Sequence, residues 1–416
     1  MHGQRSDDRL DRLVPIAAAR SDTARLWRRS QRATHVVVSP LGADGAAATA
    51  EEWAGRFENQ AEACEVLGSP LYGRLLRILA SDCAAGGSTW DTVRPHAGLR
   101  FGQAGPLRLV ATAHRLALTD RAGVWAACLP SCGGVVPHDD AALRAAWSEF
   151  AAGHVAELGA GMGREVQTNE VARSVGLAYG AAHAGLRNGT RLVELGCSAG
   201  LNLRYDHYAV RIGSLVLGSA DSEVQLDPEV LAPAGSAVGT LDGGFDPAAA
   251  ATLPGIVERI GLDPHPLDVT TPDGAATLTS FLWPDQVDRI ARVRAAMAIA
   301  ARVPADLRAV SDTAAALVEI LEGPAVPTLV QHSIVWQYIP TDQRWRITAA
   351  LEDAGRRATA AAPLAWIRFE PDEWDRTRVA LWLRRWPDGG DRLLAQVDYH
   401  GRWIRPIPPP FVASIR

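Results

Sequence analysis

The sequence contains no lysine, so all 42 of its basic residues are arginine. This absence excludes the chemistries that depend on a lysine side chain, which include the nucleotide-binding P-loop, Schiff-base catalysis and the anchoring of pyridoxal phosphate. Kinases of the usual pattern and most lysine-dependent lyases are therefore excluded. Heavy use of alanine and glycine accompanies the missing lysine, which indicates a coding bias as its origin.

Cysteines, net charge and long apolar runs are also scarce. The five cysteines are scattered, and the nearest two, Cys128 and Cys132, lack the CxxC or histidine pattern of a zinc site, so we expect reduced thiols and no metal. A net charge of −5 argues against a nucleic-acid partner, which needs a basic surplus. No run approaches the roughly 20 apolar residues that span a bilayer, and the first residues lack the apolar core of a secretion signal. We therefore expect a cytoplasmic protein without a nucleic-acid or membrane partner.

The length of 416 residues suggests two or three domains, since a typical domain has roughly 100–200 residues. Residues 1–48 are rich in Arg, Asp and Ala, with one short β-type run at His35–Val38, and are expected to form a partly disordered N-terminal arm. Residues 49–165 carry apolar residues at three- and four-residue steps, which predicts a helical domain. Residues 166–416 are expected to form an α/β domain with an insertion at about 209–255, where Gly, Asp and Pro break the pattern.

Short β-prone runs alternate with helical stretches in the second half of the chain, which predicts a mostly parallel sheet with both faces covered. The last two strands are joined by residues 387–390 (Pro-Asp-Gly-Gly), a turn that predicts an antiparallel terminal hairpin. Two helices are expected to begin near Pro284, with Asp285 in the first turn, and after Thr341 as the N-cap. The predicted strands are Arg191–Leu195, Ile256–Leu262, Thr328–Val335, Leu364–Phe369, Val379–Leu383 and Leu393–Tyr399.

Two glycine-containing segments are candidates for a cofactor-binding turn, residues 157–163 (ELGAGMG) and residues 194–200 (ELGCSAG). Such a turn needs a buried strand before it and a helix after it, because the glycines let the backbone approach the ligand and the helix N–H groups face it. The run before Gly159 has helical spacing, whereas Gly196 follows a β-prone run, so we favour the second segment. The first segment stays open as the nucleotide loop of an oxidoreductase, with Glu194 as its ribose acid.

Asp263 follows the second predicted strand of the α/β region. The end of that strand is where the ribose hydroxyls of a nucleoside need a bidentate acceptor. The separation from Gly200 far exceeds the usual spacing of about 20 residues, so this role requires residues 209–255 to be an insertion. A lone surface aspartate at a strand end is the alternative.

The order of glycine loop, second-strand acid, histidine-containing fourth strand and terminal hairpin resembles the class I S-adenosylmethionine-dependent methyltransferase fold. From about Glu51 to Trp403 the chain also resembles an uncharacterised bacterial domain family of unknown function. The motifs that carry this second resemblance are ELGCSAGLNLRYDHY, QTNEVARS, GLDPHPLDVT, FLWPDQ and HSIVWQYIP. The implied fold class is α/β, with a Rossmann-like methyltransferase sheet, mostly parallel and ending in the antiparallel hairpin, preceded by an α-helical domain.

The resemblance also implies S-adenosylmethionine as cofactor and assigns residues to it. Carried over by position, four residues of the loop hold the methionine end and Asp263 holds the ribose. Three alternating glycines are usual in this loop, and a serine at the middle position leaves less room beside the cofactor. The four loop residues are Glu194, Gly196, Ser198 and Gly200.

Gln167, Asn169 and Arg173 precede the strand that carries the loop. The methyltransferase interpretation puts them beside the amino-acid end of the cofactor, where a zwitterion needs both donors and acceptors. As an alternative, residues 168–170 cap a helix, with Glu170 near the positive end of its dipole, and Arg173 forms a surface ion pair.

His332 and Tyr338 are the candidate catalytic residues, because the end of the fourth strand borders the methyl donor and the acceptor in this fold. The reference pKa of histidine, about 6.5, suits a base that takes a proton from an attacking O–H or N–H group. Trp336 and Tyr338 are candidates for lining an acceptor pocket. A structural histidine and core aromatic rings are the alternative.

The resemblance therefore implies an S-adenosylmethionine-dependent methyltransferase that acts on an unidentified small-molecule acceptor. A non-catalytic binding or scaffold protein that retains the fold is the alternative, and Ser198 in the loop favours it. An oxidoreductase that uses residues 157–163 is a third possibility.

Overall fold

The structure is a computed structural model that describes residues 47–408, apart from residues 121–122, 233–251, 374, 377 and 388. The predicted arm, including His35–Val38, therefore lies outside the described residues except for its last two positions. The middle of the predicted insertion lies outside them as well.

Twelve α-helices form within the described residues. They are α1 (Ala50–Val66), α2 (Pro70–Ala84), α3 (Ser88–Val93), α4 (Gly105–Asp120), α5 (Gly123–Ala126), α6 (Asp140–Gly153), α7 (Val155–Gly161), α8 (Ser174–His183), α9 (Pro272–Ser280), α10 (Val287–Arg302), α11 (Thr313–Glu322) and α12 (Thr341–Arg357). Short 3₁₀ turns lie between them at Arg94–His96, Phe101–Gln103, Pro130–Cys132, Val171–Arg173, Leu201–His207 and Trp336–Tyr338.

Helices α1–α7 pack around an aromatic and leucine-rich core that includes Trp53, Phe57 and Trp125. Local sequence signals explain where these helices begin. Thr49 and Glu52 form a capping box at the start of α1, and Asp139 accepts from the backbone at the start of α6. The described residues between 50 and 161 are thus mostly helical, and the division of the chain into domains stays a prediction.

Twelve strands form within the described residues. They are β1 (Thr190–Leu195), β2 (Ala209–Ile212), β3 (Leu215–Gly218), β4 (Gln225–Leu226), β5 (Glu229–Val230), β6 (Ile256–Asp263), β7 (Asp306–Ala309), β8 (Thr328–Ser333), β9 (Leu364–Pro371), β10 (Val379–Trp386), β11 (Asp391–Val397) and β12 (Trp403–Pro406). Nine of them make one sheet in the order β5-β12-β11-β10-β9-β8-β1-β6-β7, and β3-β2-β4 make a small second sheet.

The large sheet is mostly parallel, so the chain has an α/β fold. Strands β7, β6, β1, β8 and β9 are parallel to one another, and β1 is buried along its whole length. Helices cover both faces: α8 and α10 lie in the core on one side, and α11 and α12 on the other. Because parallel strands share a direction, the ends of β1, β6, β8 and β9 meet along one edge of the sheet.

The end of the sheet is more antiparallel than predicted. The hairpin of β10 and β11 is antiparallel, as residues 387–390 predicted, but β10 also runs antiparallel to β9. Strands β7, β12 and the short β5 were not predicted, and β5 pairs with β12 from within the predicted insertion.

Two predicted helix starts are wrong. Helix α10 begins at Val287, after a turn that contains Pro284 and Asp285, and Asp285 instead binds the start of α2. Helix α12 begins at Thr341 itself, so the N-cap is Pro340, which has no side-chain acceptor. Among the described residues, no helix combines the length and the apolar character needed to cross a bilayer. In the same residues, no three His, Cys, Asp or Glu side chains gather where they could hold a metal ion.

Candidate functional site

The glycine segment at 194–200 forms a turn between a buried strand and a 3₁₀ helix. Strand β1 ends at Leu195, and Leu201–His207 follows the turn. Gly196, Ser198 and Gly200 all have positive φ angles, of 69°, 50° and 64°. The backbone therefore reverses sharply at this point of the sheet edge, at the cost of a strained serine.

The competing segment at 157–163 has no such context. Residues 155–161 are helix α7, and the residues before them are helix α6. The prediction of a nucleotide loop at residues 157–163 is therefore wrong, because a helix stands where such a loop requires a preceding strand.

Four predicted cofactor residues meet on the turn after β1 and hold it in place. The two carboxylate oxygens of Asp263 accept from the N–H groups of Ser198 (2.9 Å) and His265 (2.8 Å). The Ser198 hydroxyl donates to Gln167 Oε1 at 2.7 Å, and Asn169 Oδ1 accepts from the Leu201 N–H at 2.8 Å. The structure thus gathers residues that lie far apart in the sequence, and each makes a bond within the protein.

Side chains pack closely against the glycines of this turn. A Cβ atom on Gly196 would lie 2.3 Å from Val335 Cγ2, and one on Gly200 would lie 2.7 Å from Leu307 Cδ2. Both positions therefore require glycine for the close approach as well as for their φ angles. Gly196 is half-buried, and the next four residues of the turn are buried.

Glu194 lies one residue before the end of β1 and is 1% exposed. Burial raises the pKa of its carboxyl to about 8, although the nearby Arg204 guanidinium acts in the opposite direction. Its Oε2 atom has no hydrogen-bond partner among the described residues, and neither has Oε1 of Gln331, its neighbour in register on β8. Orphaned polar atoms of this kind are uncommon in protein interiors and call for a functional or structural explanation.

His332 forms a buried pair with Glu370 at the ends of β8 and β9. The histidine is 1% exposed, and its Nδ1 lies 2.7 Å from Glu370 Oε1. The carboxylate fixes the tautomer: Nδ1 carries the hydrogen, and Nε2 has a free lone pair with no partner among the described residues. The imidazole also stacks on Trp336, with ring centroids 4.8 Å apart.

Sequence reasoning missed Glu370. The predicted strand ends at Phe369, whereas the observed strand continues to Pro371. A carboxylate directly after a predicted buried strand is the sequence signal that could have identified Glu370. Glu370 Oε1 also accepts from the N–H groups of Val335 (3.1 Å) and Trp336 (3.3 Å), so it holds the turn after β8 as well as the histidine.

That turn contains a second strained residue, Ile334, with φ of 51°. A β-branched side chain in the left-handed region is a genuine outlier, and such outliers cluster at functional sites. Ile334 and Ser198 lie on neighbouring turns, since Val335 packs directly against Gly196. Strain is therefore concentrated where β1 and β8 end side by side.

Arg173 reaches the same edge from the 3₁₀ turn before α8. Its Nη1 and Nε lie 3.4 Å from the carbonyl oxygens of Ser333 and Tyr399. Burial lowers the pKa of its guanidinium. Among the described residues Arg173 forms no surface ion pair, and the adjacent Glu170 pairs with Arg289 at 2.7 Å.

Tyr338, the second predicted catalytic residue, is not part of the buried pair. It lies in the 3₁₀ turn Trp336–Tyr338, and 69% of its surface is exposed. The structure thus brings His332 and the turn after β1 together and leaves Tyr338 at the rim.

A comparison with models of protein families gives a match over most of the chain. The model of a protein family described as "Uncharacterized protein conserved in bacteria (DUF2332)" matches residues 54–405. No curated protein and no solved structure matches the chain.

Proposed function

The chain belongs to this uncharacterised bacterial family, and we propose that it is an S-adenosylmethionine-dependent methyltransferase acting on a small molecule. The observation that carries the proposal is the position of the two strained turns in the sheet. From β1 the chain proceeds to β6 and β7 on one side, whereas β8 and β9 lie on the other. In open α/β sheets, ligands bind where the strand order reverses in this way.

The residues at this switch point fit the cofactor by their chemistry. Each carboxylate oxygen of Asp263 accepts from one backbone N–H and keeps a second lone pair for a ribose hydroxyl. Glu194 Oε2, which has no partner among the described residues, and the Arg173 guanidinium offer an acceptor and a donor for the ammonium and carboxylate groups of an amino acid. The turn 196–200, with Gln167 and Asn169 behind it, would support the methionine end.

His332 is the proposed base. S-adenosylmethionine supplies an electrophilic methyl group when bound, so the protein has to align the acceptor and, for an O–H or N–H acceptor, remove its proton. The free lone pair of His332 Nε2 would take that proton, and Glu370 would stabilise the imidazolium that forms. His332 Nε2 is buried, so neighbouring side chains have to move before an acceptor reaches it.

Titration calorimetry with S-adenosylmethionine and S-adenosylhomocysteine tests the cofactor. We expect both to bind, and the melting temperature to rise with ligand, by the equivalent of about 2.7 kcal/mol at a hundred times Kd. Glu194→Gln replaces one carboxyl oxygen by an NH2 group with little change of shape and should weaken binding about tenfold, which corresponds to about 1.4 kcal/mol. The exposed Glu319→Gln on α11 is the matched control. Absence of both heat and stabilisation at millimolar ligand would contradict the proposal.

A non-catalytic binding or scaffold protein is the second candidate. The observation that favours it is that the Ser198 N–H and hydroxyl are already bonded within the protein, to Asp263 and Gln167. Transfer of a labelled methyl group, measured across alcohols, phenols, amines and carboxylates, separates the two candidates. The methyltransferase proposal expects turnover that His332→Asn abolishes; cofactor binding with no transfer to any acceptor class supports the second candidate.

A further inference from the structure

A cavity of about 240 Å³ lies away from the sheet edge, between helices α4 and α7 and the end of α9. It is smaller than the roughly 300–1,000 Å³ of pockets for drug-sized ligands, so it suits a small metabolite. Leu116 and Phe281 contribute apolar surface to its wall. The charged residues around it are Arg115, Arg164 and Glu157.

Two of these charged residues, Arg164 and Glu157, are exposed and have no ion-pair partner among the described residues. Arg115 forms an ion pair with Asp273 outside the cavity wall and also donates to Thr277 Oγ1. Arg164 makes only a weak bond to the same hydroxyl, at 3.4 Å, and neither Arg164 nor Glu157 has an ion-pair partner among the described residues. The cavity therefore has the exposed Arg164 guanidinium and Glu157 carboxylate beside an apolar wall, and neither is ion-paired within the part of the chain that the structure describes.

We propose that this cavity binds a free α-amino acid with an apolar side chain. The Arg164 guanidinium matches the carboxylate of such a ligand, and the Glu157 carboxylate matches its ammonium group. Leu116 and Phe281 would cover the side chain. The inference uses no residue of the sheet-edge site and stands whether or not the proposed methyltransferase function is correct.

Calorimetry on the full chain with three probes tests the assignment. L-phenylalanine carries both charges, 3-phenylpropanoate lacks the ammonium group, and 2-phenylethylamine lacks the carboxylate. We expect phenylalanine to bind most tightly, with each truncated probe weaker by about tenfold or more. Equal binding of all three probes, or no binding of phenylalanine at millimolar concentration, would overturn the proposal.

Two charge-removing variants sharpen the test. Glu157→Gln should weaken phenylalanine and 2-phenylethylamine and leave 3-phenylpropanoate unchanged. Arg164→Gln should weaken phenylalanine and 3-phenylpropanoate and leave 2-phenylethylamine unchanged. Glu149→Gln and Arg144→Gln, both exposed on α6, are the controls. If both cavity variants bind phenylalanine as the unmodified chain does, the site lies elsewhere and the proposal fails.

S-adenosylhomocysteine separates this site from the proposed cofactor site. We expect phenylalanine to bind with unchanged affinity when S-adenosylhomocysteine is present in excess. Competition between the two would assign phenylalanine to the sheet edge and overturn the proposal.

Discussion

At the scale of single residues, Glu370 concentrates three hydrogen bonds on one carboxylate oxygen. The donors are His332 Nδ1, the Val335 N–H and the Trp336 N–H. Loss of this acceptor would leave partly buried donors without partners, which costs more free energy than the bonds contribute when they are made. Glu370 therefore supports both the conformation of the turn after β8 and the tautomer of the histidine.

We expect Glu370→Ala to lower the free energy of unfolding by about 2–4 kcal/mol. Glu370→Gln keeps one acceptor oxygen and should cost about 1 kcal/mol. Urea denaturation followed by circular dichroism measures both, with Glu319→Ala as the exposed control. A cost for Glu370→Ala no greater than that of the control would show that the three bonds do not stabilise the fold.

His114 makes the stability of the protein depend on pH. It is fully buried, with Nδ1 3.1 Å from the Ser280 carbonyl and Nε2 2.8 Å from the Ser131 hydroxyl. Burial lowers its pKa from 6.5 to about 4, because the charged form loses its hydration. As the pH falls, His114 is therefore protonated near pH 6.5 in the unfolded chain but only near pH 4 in the folded chain.

It follows that the contribution of His114 is complete above pH 6.5 and declines as the pH falls toward 4, by up to about 1.4 kcal/mol per pH unit. His114→Gln, which can keep one donor and one acceptor, should flatten the loss of stability between pH 6.5 and 4.5. Burial also lowers the pKa of His400 to about 4, so part of the slope should remain in the variant. Urea midpoints at several pH values measure the slope, and an unchanged slope would contradict the argument.

The sequence predicted some residues of the site and could not predict others. The turn after β1, Asp263 and His332 were visible because each follows or ends a β-prone run. The pairing of His332 with Glu370 could not be predicted, since it depends on the register between β8 and β9. Tyr338 is a candidate because it follows the fourth strand, and no local pattern indicates that its side chain faces solvent.

At the scale of elements, the first turn of helix α2 is stabilised by a residue from a distant part of the chain, Asp285. Ser69 is the N-cap residue, and its hydroxyl donates to Asp285 Oδ1 at 2.6 Å. The other oxygen of Asp285 accepts from the Leu71 N–H at 2.9 Å. The carboxylate thus satisfies a free N–H of the first turn and lies at the positive end of the helix dipole.

Asp285→Ala should therefore lower the free energy of unfolding by about 2 kcal/mol, and Asp285→Asn by about 1 kcal/mol. Asp288→Ala, an exposed aspartate in the first turn of α10, is the matched control and should cost less than about 0.5 kcal/mol. Thermal and urea unfolding measure the three variants. Equal effects of Asp285→Ala and Asp288→Ala would contradict a capping role.

Elements with strong patterns were predictable, and short or polar ones were not. Strands β1, β6, β8, β9, β10 and β11 overlap their predicted positions because branched and aromatic residues dominate them. Strand β7 (Asp306–Ala309) has four residues, two of them charged, and is made by its pairing with β6. The antiparallel direction of β10 follows from its short connection to β9, since a parallel crossover needs about a dozen residues or more.

At the scale of the whole molecule, residues from the second half of the chain complete the helical core. Trp283 is 8% exposed and belongs to the core of helices α1–α7. Gln286 donates to the Leu67 carbonyl at 3.0 Å, next to the contact between Asp285 and Ser69. The alternation of strands and helices predicted the α/β class, but this long-range packing has no local signal.

We therefore expect the helical and α/β parts to unfold together. Tryptophan fluorescence and far-ultraviolet circular dichroism should report one coincident urea transition. Trp283→Ala should move both signals to lower urea by the same amount, since it removes a large side chain from the shared core. Two separated transitions, or a shift in one signal only, would show that the two parts are thermodynamically independent.

The two carboxylate oxygens of Asp263 bind different segments. One accepts from the turn after β1, and the other accepts from the residues after β6. A single side chain thereby couples two loops mechanically, so that neither can be displaced alone while both bonds persist. Displacement of either loop therefore breaks a bond to Asp263, and substitution of this one carboxylate would release both loops from that contact.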